Sequence, residues 1–251
     1  MKTQSFRTFC ATIAFYPQWA LITALAATKS IFVRLTHQDL VKGSHRIVRA
    51  LKRCGVRFDI TGAESLATAH GPYVFVCNHM SAMETQVLPA IVDRVGPTTF
   101  VVKPSLMRYP VFRRVLASFD PIIVSRTDPR ADLRHVLDMG KRKLEAGISV
   151  IIFPQAHRSE DFDPASFGSM GWRLAKAAKV PMVPVALSTT AWGKGSVLDD
   201  AGPIDPAKPA RFAIGAPLEI GADPAAAHRR TTDFIAGRLA EWSAAGADQG
   251  Q

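Results

Sequence analysis

YVFVCNHMSAMETQVLPAI, residues 73–91, changes period halfway: Tyr73 to Cys77 are apolar and strand-like, whereas the stretch from Ser81 onward reads as a helix. Ser81-Ala82-Met83-Glu84 has the form of a capping box, with Ser81 as N-cap and Glu84 at the third helical position. Such a Glu folds back over its own helix start, toward the segment that carries His79. A carboxylate placed there can hold an imidazole in one tautomer and stabilise its protonated form. The same residues also suit a plain cap and a plain turn. Further strand-like runs fall at 98–102, 121–125, 148–153, 182–187 and 210–214, with helical patterns near 82–94, 129–146, 166–179 and 228–243. This alternation predicts an α/β fold around a mixed, mostly parallel central sheet flanked by helices, with its site where strands end and helices begin.

Three later stretches end apolar runs with a cation or carry prolines. Val101-Val102-Lys103-Pro104-Ser105-Leu106 leads through Tyr109-Pro110-Val111-Phe112 to Asp120-Pro121-Ile122-Ile123-Val124-Ser125-Arg126. Ile151-Ile152-Phe153-Pro154-Gln155-Ala156-His157-Arg158-Ser159 follows, and then Val180-Pro181-Met182-Val183-Pro184-Val185-Ala186-Leu187. With these in order after Asn78-His79, the chain resembles the glycerolipid acyltransferases, the lysophosphatidate acyltransferases and their relatives, from about residue 56 to about residue 220. The blocks of that family read NHxSxxD, a Lys-to-Arg block, FPEGTRS and a Val-Pro-rich strand. Three departures stand out. Glu84 replaces the commoner Asp, keeping the charge; Gln155, Ala156 and His157 replace Glu, Gly and Thr; and Arg113 stands where Gly is usual. The chain reads as a divergent branch.

Acyl transfer from a thioester to a hydroxyl requires that hydroxyl to lose its proton as it attacks, which a neutral His within reach can accept. His79 is therefore the expected base and Glu84 its orienting partner. No G-x-S-x-G elbow is present, and Cys77 is not read as a nucleophile. Asn78, Ser81, Lys103, Arg126, Gln155 and Arg158 are the expected substrate-binding residues. Asn78 could fix the loop or the thioester oxygen, with a turn-forming role as the simpler alternative. Arg126 and Arg158 are expected at neighbouring strand ends, where a guanidinium fork matches phosphate oxygens. The resemblance assigns acceptor-phosphate binding to both; without it, each is equally a surface cation or an ion-pair partner. Lys103 could steer phosphate or cap the next helix. His157 has no metal-ligand partner at useful spacing, so no metal is expected, and no cofactor beyond acyl-CoA or acyl carrier protein as donor substrate.

Charge is concentrated at the N-terminus. Residues 1–55 hold nine Lys/Arg and one acidic residue, Asp39, so +8 of the net +10 lies there. Thr8 to Thr28 is uncharged, long enough to span about 30 Å but interrupted by Pro17. Asp39 to Cys54 then sets Leu40, Val41, Ile47, Val48 and Leu51 on one helical face among five basic residues. This predicts a membrane-associated N-terminal segment whose basic amphipathic helix lies on anionic lipid, against the alternative of a charged helix packed on the core. The Lys/Arg excess after the run places it on the cytoplasmic face of the cell membrane. A cleaved signal peptide is disfavoured, because export would remove the site from cytosolic donors. Nucleic acid, the other partner a basic chain suggests, has no motif here. Cys10, Cys54 and Cys77, odd in number and without C-x-x-C spacing, argue against a disulfide scaffold or a zinc ribbon.

The expected domains are the membrane-associating residues 1–55, an acyltransferase domain over 56–245 and a frayed tail at 246–251. The expected activity is a membrane-associated O-acyltransferase acting on a lysophospholipid hydroxyl, foremost 1-acylglycerol-3-phosphate. Two alternatives stand beside it: the same chemistry on an aminolipid or glycolipid, or a lipid-binding protein without turnover.

Overall fold

The computed structural model describes residues 2–66, 71–108, 110–155, 157–196 and 198–248. Tyr109, Ala156 and the last three residues of the expected frayed tail lie outside them. Among the described residues, seven α-helices and seven strands follow one another as α1 (Lys2–Phe32), α2 (His37–Arg53), β1 (Phe58–Thr61), β2 (Val74–Cys77), α3 (Met83–Ile91), β3 (Thr98–Val102) and α4 (Pro110–Ala117). They continue as β4 (Ile122–Ile123), α5 (Pro129–Glu145), β5 (Ser149–Ile152), α6 (Met170–Ala178), β6 (Met182–Ser188), β7 (Ala210–Ile214) and α7 (Pro224–Asp248).

The sheet order is β1-β7-β6-β2-β5-β3-β4, parallel throughout except for the antiparallel β6–β7 pair. The predicted mixed, mostly parallel sheet is thus present. Its central strands are buried on both faces, as helix-covered parallel strands must be. The two-residue period then divides one strand between two cores. Phe75 and Cys77 join Met83, Val183 and Ile151 on one side, while Val74 and Val76 join Val150, Leu174 and Ile235 on the other. Helix α6 approaches β2 so closely that a Cβ on Gly171 would stand 2.4 Å from Val76 Cγ2.

Several sequence expectations are corrected. Strand β1 and helix α4 were not anticipated: β1 is short and largely exposed, with no continuous apolar run. The helix over residues 224–248 extends through residues 246–248 of the tail expected to be frayed. Pro17 does not interrupt α1, which continues past it with Gln18 Nε2 donating to Ala14 O at 2.7 Å. Helix α2 starts at a capping box, Thr36 with Asp39, and its apolar residues Leu40, Val41, Ile47 and Leu51 are buried in the body of the protein. The face expected to enter lipid is therefore packed inside, with Ser44 Oγ donating to Gln86 O of α3 at 2.6 Å. Only the basic side of α2 remains to meet a membrane.

Helix α1 behaves differently. Ala11 and Phe15 are buried in the core that contains Phe75 and Val183. Phe6, Phe9, Ile13, Leu21, Leu25 and Ile31 form an exposed apolar stripe on its outer side. Polar contacts tie the helix to the body along its length: Tyr16 Oη donates to Gly202 O at 2.6 Å, Ile204 N donates to Thr12 Oγ1 at 2.9 Å, and Lys29 Nζ pairs with Asp39 at 2.7 Å.

Candidate active site

Strand β2 lies between β5 and β6, and all three are parallel, so their C-terminal ends open on one edge. The loop after β2 carries Asn78 and His79, the loop after β5 carries Gln155 and Arg158, and Thr189 follows β6 directly.

Glu84 is the buried hub of this edge. Its side chain is 0% exposed, and a carboxylate so placed must be fully hydrogen-bonded. Oε1 accepts from Met80 N at 2.8 Å, from Ser81 N at 2.9 Å and from the Thr189 hydroxyl. Oε2 meets His79 Nδ1. The helix begins one residue later than the capping box implied: Ala82 is the N-cap and makes no side-chain cap bond. Ser81 still contributes, since its Oγ accepts from Met83 N at 3.1 Å and donates to Thr189 Oγ1 at 3.0 Å.

His79 is fixed from every side. Gln155 Oε1 accepts from its backbone N–H at 2.6 Å, and Ser159 N donates to its backbone carbonyl at 2.9 Å. Phe153 stacks on the ring with centroids 4.3 Å apart. On the open side Arg158 Nε stands 3.4 Å from Nε2, and the same guanidinium pairs through NH1 with Asp200. With Nδ1–H donated to Glu84, Nε2 keeps its lone pair toward the opening, the tautomer a general base needs.

Several residues assigned to substrate on the sequence do other work here. Asn78 is 1% exposed and its amide bridges to β6, donating to Leu187 O at 2.9 Å and accepting from Leu187 N at 2.7 Å. That role fixes the loop, the simpler of the two expected for Asn78. The Ser81 hydroxyl is consumed in the Glu84 network, and Gln155 points inward to His79. Arg126 and Arg158 do not follow neighbouring strands, because β3 lies between β4 and β5. Arg126 is exposed, with a left-handed backbone (φ 64°) held by Asp132, whose carboxylate accepts from Ser125 N at 2.7 Å and Arg126 N at 2.6 Å. Lys103, exposed just after β3, accepts from Leu106 N at its carbonyl and starts a turn. His157 is exposed. Cys77 is fully enclosed; burial first, and the Glu84 charge second, push its thiol well above the ordinary range, so it stays protonated and unreactive.

Thr189 and Asp200 were missed on the sequence. The signal for Thr189 was its place at the end of the Val-Pro-rich strand, in Ser188-Thr189-Thr190, once that strand is known to neighbour β2. Asp200 lies in a loop with no pattern of its own.

A cavity of about 570 Å³ lies between the helices on one face of the sheet, with Arg158 and Asp200 among its lining residues. Tyr16, Trp19 and Ile22 of α1, Leu40 and Ile47 of α2, and Phe100, Leu116 and Phe119 give it an apolar wall suited to a hydrocarbon chain.

A profile of the family described as Acyltransferase matches residues 57–188. A 1-acyl-sn-glycerol-3-phosphate acyltransferase of Pseudomonas aeruginosa is 28% identical over 183 residues, covering 70% of this chain and 69% of that protein. The human 1-acyl-sn-glycerol-3-phosphate acyltransferase beta is 25% identical over 186 residues, 72% of this chain and 65% of its own length. The match to the Cocos nucifera enzyme of the same name is 24% identical and spans 42% of that protein. Among solved structures, the 1-acyl-sn-glycerophosphate (LPA) acyltransferase PlsC of Thermotoga maritima has the same fold, with a TM-score of 0.66 at 18% identity over 96% of this chain and 98% of that one.

Proposed function

Because the chain belongs to the acyltransferase family, we propose that it transfers a fatty acyl group from acyl-CoA or acyl carrier protein to the free hydroxyl of 1-acylglycerol-3-phosphate, giving phosphatidic acid. The observation that carries this reading is the orientation of His79, with Nδ1 on buried Glu84 and Nε2 facing Arg158, a side chain that also lines an apolar cavity. In the proposed step the acceptor hydroxyl gives its proton to His79 Nε2 while its oxygen attacks the thioester carbonyl carbon. Collapse of the tetrahedral intermediate breaks the C–S bond, and the departing thiolate takes the proton back from Nε2. Glu84 offsets the positive charge that the ring carries in between. The acyl chain occupies the cavity, and the Arg158 guanidinium holds the acceptor phosphate. Asn78, Ser81, Gln155 and Thr189 position the base and its carboxylate, while Lys103 and Arg126 lie farther along the same edge and act on the approaching headgroup through charge.

Purified protein incubated with each donor and a panel of lysolipids, with products read by mass spectrometry, tests the assignment. Phosphatidic acid from lysophosphatidate is the expected product; an acylated aminolipid or glycolipid in its place changes the acceptor, and no thioester consumption removes the activity. Arg158→Ala is expected to raise the Michaelis constant for lysophosphatidate far more than that for the donor, because it removes charge-assisted bonds to the headgroup. Equal use of phosphorylated and dephosphorylated acceptors by the unaltered enzyme would defeat this role.

Membrane association is assigned to α1. A helix tied to the body from Thr12 to Lys29 cannot cross a bilayer without drawing charged loops in with it. Its exposed stripe therefore rests in the interface on the cytoplasmic face, with the basic side of α2 toward anionic headgroups. High-salt washing is expected to leave the protein in the membrane pellet and detergent to release it. Full recovery in the soluble fraction at low salt without detergent would rule this out.

A further inference from the structure

Arg158 covers the base. Arg158 Nε–H points at His79 Nε2 from 3.4 Å, the atom that must receive the nucleophile's proton, and Asp200 holds the other side of the same guanidinium. Asp200 is itself anchored, for its backbone carbonyl accepts from Nε1 of Trp192 at 3.2 Å, a side chain buried in the core. Both charged residues line the apolar cavity. We propose that Asp200 is a latch: it keeps Arg158 over the base until the acceptor phosphate takes the guanidinium, which restrains hydrolysis of a bound thioester by water. This rests on the acyl-transfer reading above.

The exchange runs in the required direction. The Arg158 and Asp200 side chains are 25% and 41% exposed, and a solvent-reached ion pair contributes little. A phosphate brings more charge and several oxygens to the guanidinium fork, with which it forms parallel charge-assisted bonds. Once Arg158 turns to the phosphate, Nε2 is open to the acceptor hydroxyl that the same molecule delivers. Without acceptor, the competing reaction would be attack of water oxygen on the acyl carbonyl carbon, with the water proton passing to Nε2 and then to the departing thiolate, leaving a fatty acid and a free thiol. Asp200 also competes with the headgroup for Arg158, so it sets acceptor affinity.

The test measures thiol release from acyl-CoA without acceptor, with increasing inorganic phosphate against chloride of equal ionic strength, in the unaltered enzyme and in Asp200→Asn. Phosphate is expected to raise release saturably in the unaltered enzyme by about fivefold or more, the low end of ordinary coupling between linked groups. Asp200→Asn is expected to release thiol faster from the start, to lose the phosphate response and to show a lower Michaelis constant for lysophosphatidate with that for the donor unchanged. No phosphate response in the unaltered enzyme overturns the latch even if the variant fails to fold. Asp200→Asn with unchanged release, or with a raised Michaelis constant for the acceptor, also overturns it, the latter making Asp200 a ligand of the acceptor. Loss of the underlying reading is a separate result: the unaltered enzyme would then form no phosphatidic acid at all.

Discussion

His79→Ala is expected to lower acyl transfer at least ~100-fold, the range that loss of a general base produces, while the protein keeps its fold. The fold survives because the loop is held through the backbone of residue 79: Gln155 Oε1 and the Ser159 N–H bind its N–H and carbonyl whatever side chain it carries. The carboxylate of Glu84 keeps Met80 N, Ser81 N and the Thr189 hydroxyl as donors to Oε1, so its charge stays hydrogen-bonded although Oε2 loses the ring. Steady-state thiol release in the presence of lysophosphatidate, together with a thermal melt, measures both halves. Turnover close to that of the unaltered enzyme would remove His79 from the mechanism.

Glu84→Gln is the second large effect, and it acts through the tautomer. The remaining oxygen can accept the three donors that Oε1 accepts now, so the buried network stays satisfied. The new amide, however, places an N–H donor against Nδ1. The ring then keeps its proton on Nε2, and the lone pair needed for the acceptor proton is gone. A loss of roughly 10²–10⁴ in kcat is expected, as for an orienting carboxylate that fixes the tautomer of a catalytic histidine, with little change in thermal stability. Glu84→Ala is a poorer probe, because it takes the acceptor from Met80 N, Ser81 N, the Thr189 hydroxyl and His79 Nδ1–H, at about 1–3 kcal/mol for each donor left buried and unpaired, and threatens the fold itself. Glu84→Asp keeps the charge but shortens its reach, and should retain more activity than Glu84→Gln. Equal activity of Glu84→Gln and the unaltered enzyme would reduce Glu84 to a helix cap.

The pairing of His79 with Glu84 was legible because it is local. Both residues lie within one strand-to-helix turn, and the geometry of a helix start limits where a Glu in its first turn can point. The strand and helix order was legible for a similar reason: an apolar period of two or of about three and a half states which side of each element is dry. It does not state what covers that side. The apolar face of α2 has the pattern of a lipid-binding helix, yet it is buried in the core of the protein, and nothing within its own residues distinguishes the two outcomes.

Gln155 shows the same limit at the site. On the sequence it is a family carboxylate lost near the headgroup; in the fold its oxygen holds the backbone of a residue 76 positions earlier. Thr189 reaches Glu84 across 105 positions and Arg158 reaches His79 across 79, because β6 and β5 happen to flank β2. The sequence by itself determined the alternation of strands and helices and the His79–Glu84 pair, since each is written in the local period or within one strand-to-helix turn; of α1 it marked only the uncharged run from Thr8 to Thr28. The tertiary structure alone decided which strands lie side by side, and with that the clamp on His79, the separation of Arg126 from Arg158, the cavity and the Asp200 contact. Strand order in a parallel sheet is set by how crossover helices pack over long stretches of chain, a sum of many distant contacts that no local period records.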